Sequence, residues 1–60
     1  MTQEEAKRYF DAIVGNMPIT IEDLKADLRL CHILVHNSGA IPEGVDEDEF
    51  IDEILETLSV

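Results

Sequence analysis

The chain has a single cysteine and no long apolar segment, and these two features limit the cellular compartments that we expect for it. Cys31 has no partner for an internal disulfide, whereas small secreted domains usually need several, so we expect a reducing, cytoplasmic location. No apolar run approaches the roughly 20 residues that cross a bilayer, and the first residues lack the apolar core of a signal peptide. We therefore expect no membrane association.

Residues that would support catalysis are also few. The glycines are isolated at Gly15, Gly39 and Gly44, so the sequence has no Gly-rich loop of the kind that binds phosphate. Ser38 falls in a predicted turn and Ser59 near a helix end, and neither has a base and an orienting acid placed beside it. The sequence therefore predicts a protein that is not an enzyme and uses no cofactor.

Histidine and cysteine raise the question of a metal site. His32 and His36 are four residues apart on a predicted helix and can face one ion, and Cys31 is adjacent. Cys31, however, points about 100 degrees away from His32, onto the apolar side of the helix, and no second pair of ligands occurs elsewhere. We expect partly exposed histidines near a helix C-terminus, a buried cysteine and no bound metal.

Basic residues are scarce, since Lys and Arg total 4 against 14 Asp and Glu and the formal net charge is -10. Nucleic acids and anionic lipids would be repelled by such a chain, so we expect no direct binding to either. Eight of the acids lie between Glu43 and Glu56, a stretch without Lys or Arg. This concentration favours an electrostatic contact with a basic protein surface.

The residues that are present predict helices. Apolar residues make up 45% of the chain, enough for a folded core, and 60 residues allow one domain at most, residues 1–60. Turn-forming residues at 15–18 and 37–44 divide the chain into helices over approximately 3–14, 21–37 and 47–58. The predicted fold is a small all-α three-helix unit.

Local signals specify where these helices begin. Thr2 and Asp46 are predicted N-caps, with Glu5 and Glu49 three residues later as their capping-box partners. Thr20 is the predicted cap of the second helix. Gly15 is placed to end the first helix.

The second predicted helix is apolar over more than half of its circumference, which indicates burial by more than one neighbour. The apolar arc consists of Leu24, Ala26, Leu28, Leu30, Cys31, Ile33, Leu34 and Val35. We expect this helix to be central and to form a homodimer through its surplus face, made of Leu30, Ile33 and Leu34. Asp27 interrupts the arc, and we expect its carboxylate to stay in water at the edge. The remaining face of this helix is a narrow basic stripe made of Lys25, Arg29, His32 and His36.

The third predicted helix has an apolar side and an acidic side. Its apolar side contains Phe50, Ile51, Ile54, Leu55 and Leu58, and its acidic face contains Asp48, Glu49, Asp52, Glu53 and Glu56. Like charges four residues apart destabilise a helix by roughly 0.2–0.5 kcal/mol per pair. Three explanations compete: pairing with the basic stripe, solvation alone, or binding to a basic partner.

The favoured hypothesis is a non-enzymatic inhibitor whose acidic face occupies the basic, nucleic-acid-binding surface of another protein, as a nucleic-acid mimic. In size, acidity and lack of catalytic residues the chain is comparable with phage-encoded anti-defence proteins such as anti-CRISPR proteins, an analogy of physical type without a shared motif. The alternative is a small dimeric adaptor or assembly module that binds through the apolar face of the second helix, with the acids keeping it in solution.

Overall fold

Four α-helices make up the computed structural model, which describes residues 1–59. They are α1 (Gln3–Val14), α2 (Ile21–Ala26), α3 (Leu28–Ser38) and α4 (Glu47–Leu58). The part of the chain that the structure describes contains no strand, so the predicted all-α class is confirmed. None of the helices in residues 1–59 is long and apolar enough to cross a lipid bilayer.

The first helix begins and ends at the predicted residues. The Thr2 hydroxyl accepts a hydrogen bond from the Glu5 backbone N–H, and the Glu5 carboxylate accepts one from the Thr2 N–H. This capping box satisfies two N–H groups that the first turn leaves without helical partners. At the other end Gly15 has φ +59° and donates its N–H to the Asp11 carbonyl. That positive φ is a conformation that glycine adopts without the strain of a side chain.

The single helix predicted over 21–37 is wrong at Asp27, where the structure has two helices instead of one. Asp27 has φ -131° and ψ 85°, outside the helical region, and its N–H donates to the Asp23 carbonyl. Its carboxylate accepts a hydrogen bond from the Leu30 N–H at 3.1 Å. Asp27 therefore ends α2 and is also the N-cap of α3. An Asp side chain competes with the helical backbone for nearby N–H groups, which is the physical reason for the break.

The predicted cap of the second helix is confirmed for α2. The Thr20 hydroxyl accepts a hydrogen bond from the Asp23 N–H, and the Asp23 carboxylate accepts one from the Thr20 N–H. This reciprocal pair fixes the start of a helix of only six residues. A helix so short is marginal by itself in water, so α2 depends on its caps and on burial of Leu24, which is 1% exposed.

The hydrophobic core forms where α4 packs against the other three helices. Its buried residues are Ile13 and Val14 from α1, Leu24 from α2, Cys31 and Val35 from α3, and Phe50, Ile51, Ile54 and Leu55 from α4. The Tyr9 ring lies edge-on to Phe50, with ring centroids 4.9 Å apart. Both α3 and α4 contact all three other helices, and α1 and α4 share the most extensive contact. The core thus fixes one side of α4 and leaves the opposite side outward.

Candidate functional site

The acidic face of α4 is exposed along its whole length. All five of its residues, Asp48, Glu49, Asp52, Glu53 and Glu56, are exposed, whereas Phe50, Ile51 and Ile54 on the opposite side are each 2% exposed. The 3.6-residue period of the helix produces this separation. A partner would therefore meet five carboxylates on a helix whose position is fixed by the core.

Two of these five carboxylates have a cationic or potentially cationic neighbour. The α-amino group of Met1 donates a hydrogen bond to Glu53, and this bond raises the pKa of the amine. Asp48 Oδ1 lies 3.6 Å from His32 Nε2, although the Asp48 side chain remains 79% exposed. Within residues 1–59, Glu49, Asp52 and Glu56 have no Lys, Arg, His or amino-terminal nitrogen within 4.0 Å.

Lysine and arginine do not neutralise the acids. In the described part of the chain, none of the four Lys and Arg side chains comes within 4.0 Å of an Asp or Glu oxygen. Lys25 and Arg29 belong to the basic stripe, so neither of them forms an ion pair with the acidic face. The contacts within 4.0 Å between the basic nitrogens of the stripe and the carboxylates of α4 are made by His32 and His36.

Glu47, which the sequence analysis did not single out, contacts both histidines. Glu47 Oε2 lies 3.1 Å from His32 Nδ1, and Glu47 Oε1 lies 3.8 Å from His36 Nδ1. Glu47 falls on the apolar side of α4, in line with Ile51 and Ile54, so its side chain points toward α3 instead of outward. That position was the available signal, since an acid on the inward side of a helix needs a polar partner.

The contact between Glu47 and the histidines lies at the rim of the core. The side chains of His32 and Glu47 are 37% and 36% exposed, and that of His36 is 79% exposed, so solvent screens their attraction. A histidine carries charge here only when it is protonated. Among the residues described, no three His, Cys, Asp and Glu side chains are arranged to hold a metal ion.

The start of α4 contains half of the predicted capping box. Asp46 is the N-cap, and its carboxylate accepts a hydrogen bond from the Glu49 N–H at 3.2 Å. Within residues 1–59 the reciprocal bond, from the Asp46 N–H to the Glu49 carboxylate, is not formed. The Glu49 carboxylate is therefore left on the acidic face, where a partner can reach it.

The predicted dimer face on α3 is uneven in exposure. Ile33 is 51% exposed, whereas Leu30 and Leu34 are half-buried and Leu34 packs against the core. Ile33 is thus the part of this face that a second molecule would cover most readily. Formation of the dimer stays a prediction.

Cys31 lies on the inner side of α3 and is 2% exposed. Burial raises the pKa of its thiol, with a smaller contribution from the negative charge of Glu47. The reactive thiolate is therefore disfavoured at neutral pH. The side chain packs as a small apolar group with Val35 and Leu24.

No model of a protein family, no curated protein and no solved structure matches this chain. A functional assignment therefore depends on the geometry and charge of the described residues. The feature with the clearest consequence is the acidic face of α4, because three of its five acids have no Lys, Arg, His or amino-terminal nitrogen within 4.0 Å in residues 1–59.

Proposed function

We propose that this protein is a non-enzymatic inhibitor that binds the nucleic-acid-binding surface of another protein through the acidic face of α4. The observation that carries the proposal is the lack of a cationic group within 4.0 Å of Glu49, Asp52 and Glu56 in residues 1–59. These carboxylates lie on a helix held in place by four buried apolar residues. They are available to a partner without any rearrangement of the core.

The spacing of the carboxylates suits a groove built for nucleic acid. Acids three and four residues apart on α4 repeat at roughly 5 to 6 Å along the helix, comparable with the spacing of phosphates along a nucleic-acid strand. A surface of Arg and Lys that recognises phosphates would meet a similar row of negative charge. The protein would then act as a nucleic-acid mimic. In size, acidity and lack of catalytic residues it is comparable with phage-encoded anti-defence proteins such as anti-CRISPR proteins, an analogy without a shared motif.

The energetic cost of the acidic face also supports a binding role. Asp48 with Asp52, Glu49 with Glu53, and Asp52 with Glu56 are like charges four residues apart, each destabilising by roughly 0.2–0.5 kcal/mol. A face that served only solubility would normally contain interspersed Lys, which would remove this repulsion. Binding to a basic partner would relieve it instead, and long-range attraction would raise the association rate.

The first experiment is a pull-down from the source organism's lysate with the wild type and two variants of equal charge. The test variant is Glu49→Gln, Asp52→Asn, Glu53→Gln, Glu56→Gln. The control variant neutralises four exposed acids elsewhere, as Glu4→Gln, Asp11→Asn, Glu22→Gln, Glu43→Gln. Each set removes four charges, so both variants have a formal net charge of -10 + 4 = -6. Circular dichroism checks that both are folded.

We expect the wild type and the control variant, but not the test variant, to recover a protein that binds DNA or RNA. Added nucleic acid should displace that protein, because the two compete for one surface. Equal recovery by all three proteins, or recovery insensitive to nucleic acid, would contradict the mimic hypothesis.

A salt series supplies a second measurement. Partner binding should weaken steeply between low and moderate salt, because exposed charges are screened over about 10 Å at 0.1 M. Salt should also reduce the like-charge repulsion within α4, so it should stabilise the folded chain. Loss of binding at moderate salt therefore cannot be attributed to unfolding.

The exposed Ile33 favours a second candidate function, a dimeric adaptor or assembly module that binds through Leu30, Ile33 and Leu34. Binding of that kind would be nearly indifferent to salt. Ile33→Glu is the better test variant, because Leu34 contacts the core and a charge there would also unfold the chain. A dimer in the wild type that becomes a folded monomer in Ile33→Glu, measured by light scattering, would favour this candidate.

A further inference from the structure

A shallow groove of about 490 Å³ separates the α2–α3 junction from the outer side of α4. It is lined by Lys25, Leu28, Asp52, Leu55, Glu56 and Ser59. Two of these residues, Asp52 and Glu56, belong to the acidic face. The groove is therefore where that face meets an apolar surface.

The apolar part of the groove is made by leucines. Leu28 is 52% exposed, because the break at Asp27 places it outside the core, whereas Leu55 is 9% exposed and forms the edge of the core. Asp52 and Glu56, one helical turn apart, provide carboxylates on the α4 side. A side chain lying in this groove would meet aliphatic carbon and negative charge together.

Lys25 also lines the groove but leaves its acids unneutralised. In the described residues its ammonium group lies farther than 4.0 Å from every carboxylate oxygen, including those of Asp52 and Glu56. A cation from a partner would meet two carboxylates without an ion pair. Lys25 would repel that cation weakly from one side.

The geometry points to a subsite for an arginine side chain of the basic partner, an inference that rests on the proposed function. The aliphatic stem of the arginine lies on Leu28 and Leu55, and its guanidinium group reaches Asp52 and Glu56. Arginine suits this position better than lysine, because its planar group has five donors that can bridge carboxylates and is more weakly hydrated. Long cationic side chains commonly bury their stems on apolar surface in this way.

Hexa-arginine and hexa-lysine peptides, which have the same charge, test the inference by isothermal titration calorimetry at about 0.1 M salt. We expect the wild type to bind hexa-arginine about fivefold more tightly. Leu28→Gln should reduce that preference to about twofold or less, because the apolar contact for the stem is lost while every carboxylate remains. Met17→Gln is the matched control: Met17 is 44% exposed, lies in the α1–α2 loop, and should keep the preference unchanged.

Lys25→Gln is a second variant that acts in the opposite direction. Removing the competing cation should tighten hexa-arginine binding about twofold to threefold, and Asp52→Asn with Glu56→Gln should abolish the preference for arginine. These variants leave Leu28 in place, so the inference remains testable even if Leu28→Gln does not fold.

The outcomes separate the subsite from the proposed function. If wild type binds both peptides equally, or if folded Leu28→Gln keeps the preference for arginine, the subsite is refuted while the acidic face remains a binding surface. If the wild type binds neither peptide, the acidic face does not bind basic segments, and both the subsite and the proposed function are refuted.

Discussion

Replacing Asp27 with alanine distinguishes two helices from one continuous helix. The two arrangements predict changes of opposite sign in the free energy of unfolding. In the structure the Asp27 carboxylate caps α3 by accepting the Leu30 N–H at 3.1 Å. Loss of such a cap destabilises a protein by about 1 kcal/mol, within a range of roughly 0.5–2 kcal/mol. In an unbroken helix over 21–37, by contrast, alanine would be preferred over aspartate by up to roughly 0.7 kcal/mol.

Urea unfolding followed by circular dichroism at 222 nm measures the sign directly. With a slope of about 1 kcal/mol per molar urea for a small domain, Asp27→Ala should lower the unfolding midpoint by about 1 M. Asp27→Asn is the control, because asparagine is an equally good N-cap and removes the same negative charge. Its midpoint should stay within about 0.5 M of the wild type.

A higher midpoint for Asp27→Ala, together with more helical signal, would refute the break at Asp27. Equal lowering by Asp27→Asn and Asp27→Ala would show that the charge of Asp27, and not its N-cap bond, contributes the stability. The first result would join α2 and α3 into one helix, whereas the second would keep the break and reassign the source of its stability.

Three further predictions concern burial and pH. Leu24→Ala should lower the free energy of unfolding by about 3 kcal/mol or more, whereas Leu28→Ala should lower it by less than about 1 kcal/mol, since Leu24 is 1% and Leu28 52% exposed; similar losses in urea unfolding would contradict the packing. The Thr2 N–H lowers the pKa of Glu5 below its ordinary 4.5, so the stabilisation is complete above that pH and is lost as the pH falls through the lower folded value. Thermal unfolding at pH 6 and pH 3 should therefore show a smaller acid-induced loss for Glu5→Gln than for the wild type, and equal losses would contradict this. Burial raises the pKa of Cys31, so a thiol reagent at pH 8 should label it slowly in the folded chain and rapidly in urea, and rapid labelling without urea would show that the thiol is accessible.

The helix boundaries that the sequence predicted correctly depend on signals within a few adjacent residues. Thr2, Thr20 and Asp46 each cap the N–H three residues later, and Gly15 ends α1 with a positive φ. Such signals are visible in the sequence because both members of each pair lie within one turn.

The break at Asp27 was missed because the apolar period continues across it. Leu24, Leu28 and Cys31 follow at i, i+4 and i+7, which is the pattern of one continuous helical face. A single aspartate inside a helix is unfavourable by only a fraction of a kcal/mol relative to alanine, too little to predict a break from propensity. The hydrogen bond from the Leu30 N–H to the Asp27 carboxylate adds further stabilisation to the break. This bond forms only when Asp27 leaves the helical conformation and becomes an N-cap.

The candidate site also combines features that are encoded locally in the sequence with a contact that depends on helix packing. The acidic face was predictable because all of its residues belong to one helix with a regular period, and each of them is exposed. The contact of His32 with Glu47 joins residues fifteen positions apart on different helices, so it follows from the packing of α3 on α4. No local pattern encodes that distance.

The two sides of α4 differ in the substitutions that they tolerate. Truncation of Phe50, Ile51 or Ile54 would open a cavity in the core, whereas exposed positions usually tolerate substitution within about 0.5 kcal/mol. Acids could therefore be gained, lost or moved along the outer side while the same four helices persist. Under the proposed function, the acidic face could adapt to changes in the basic surface of a partner one outer residue at a time, without first acquiring extra stability.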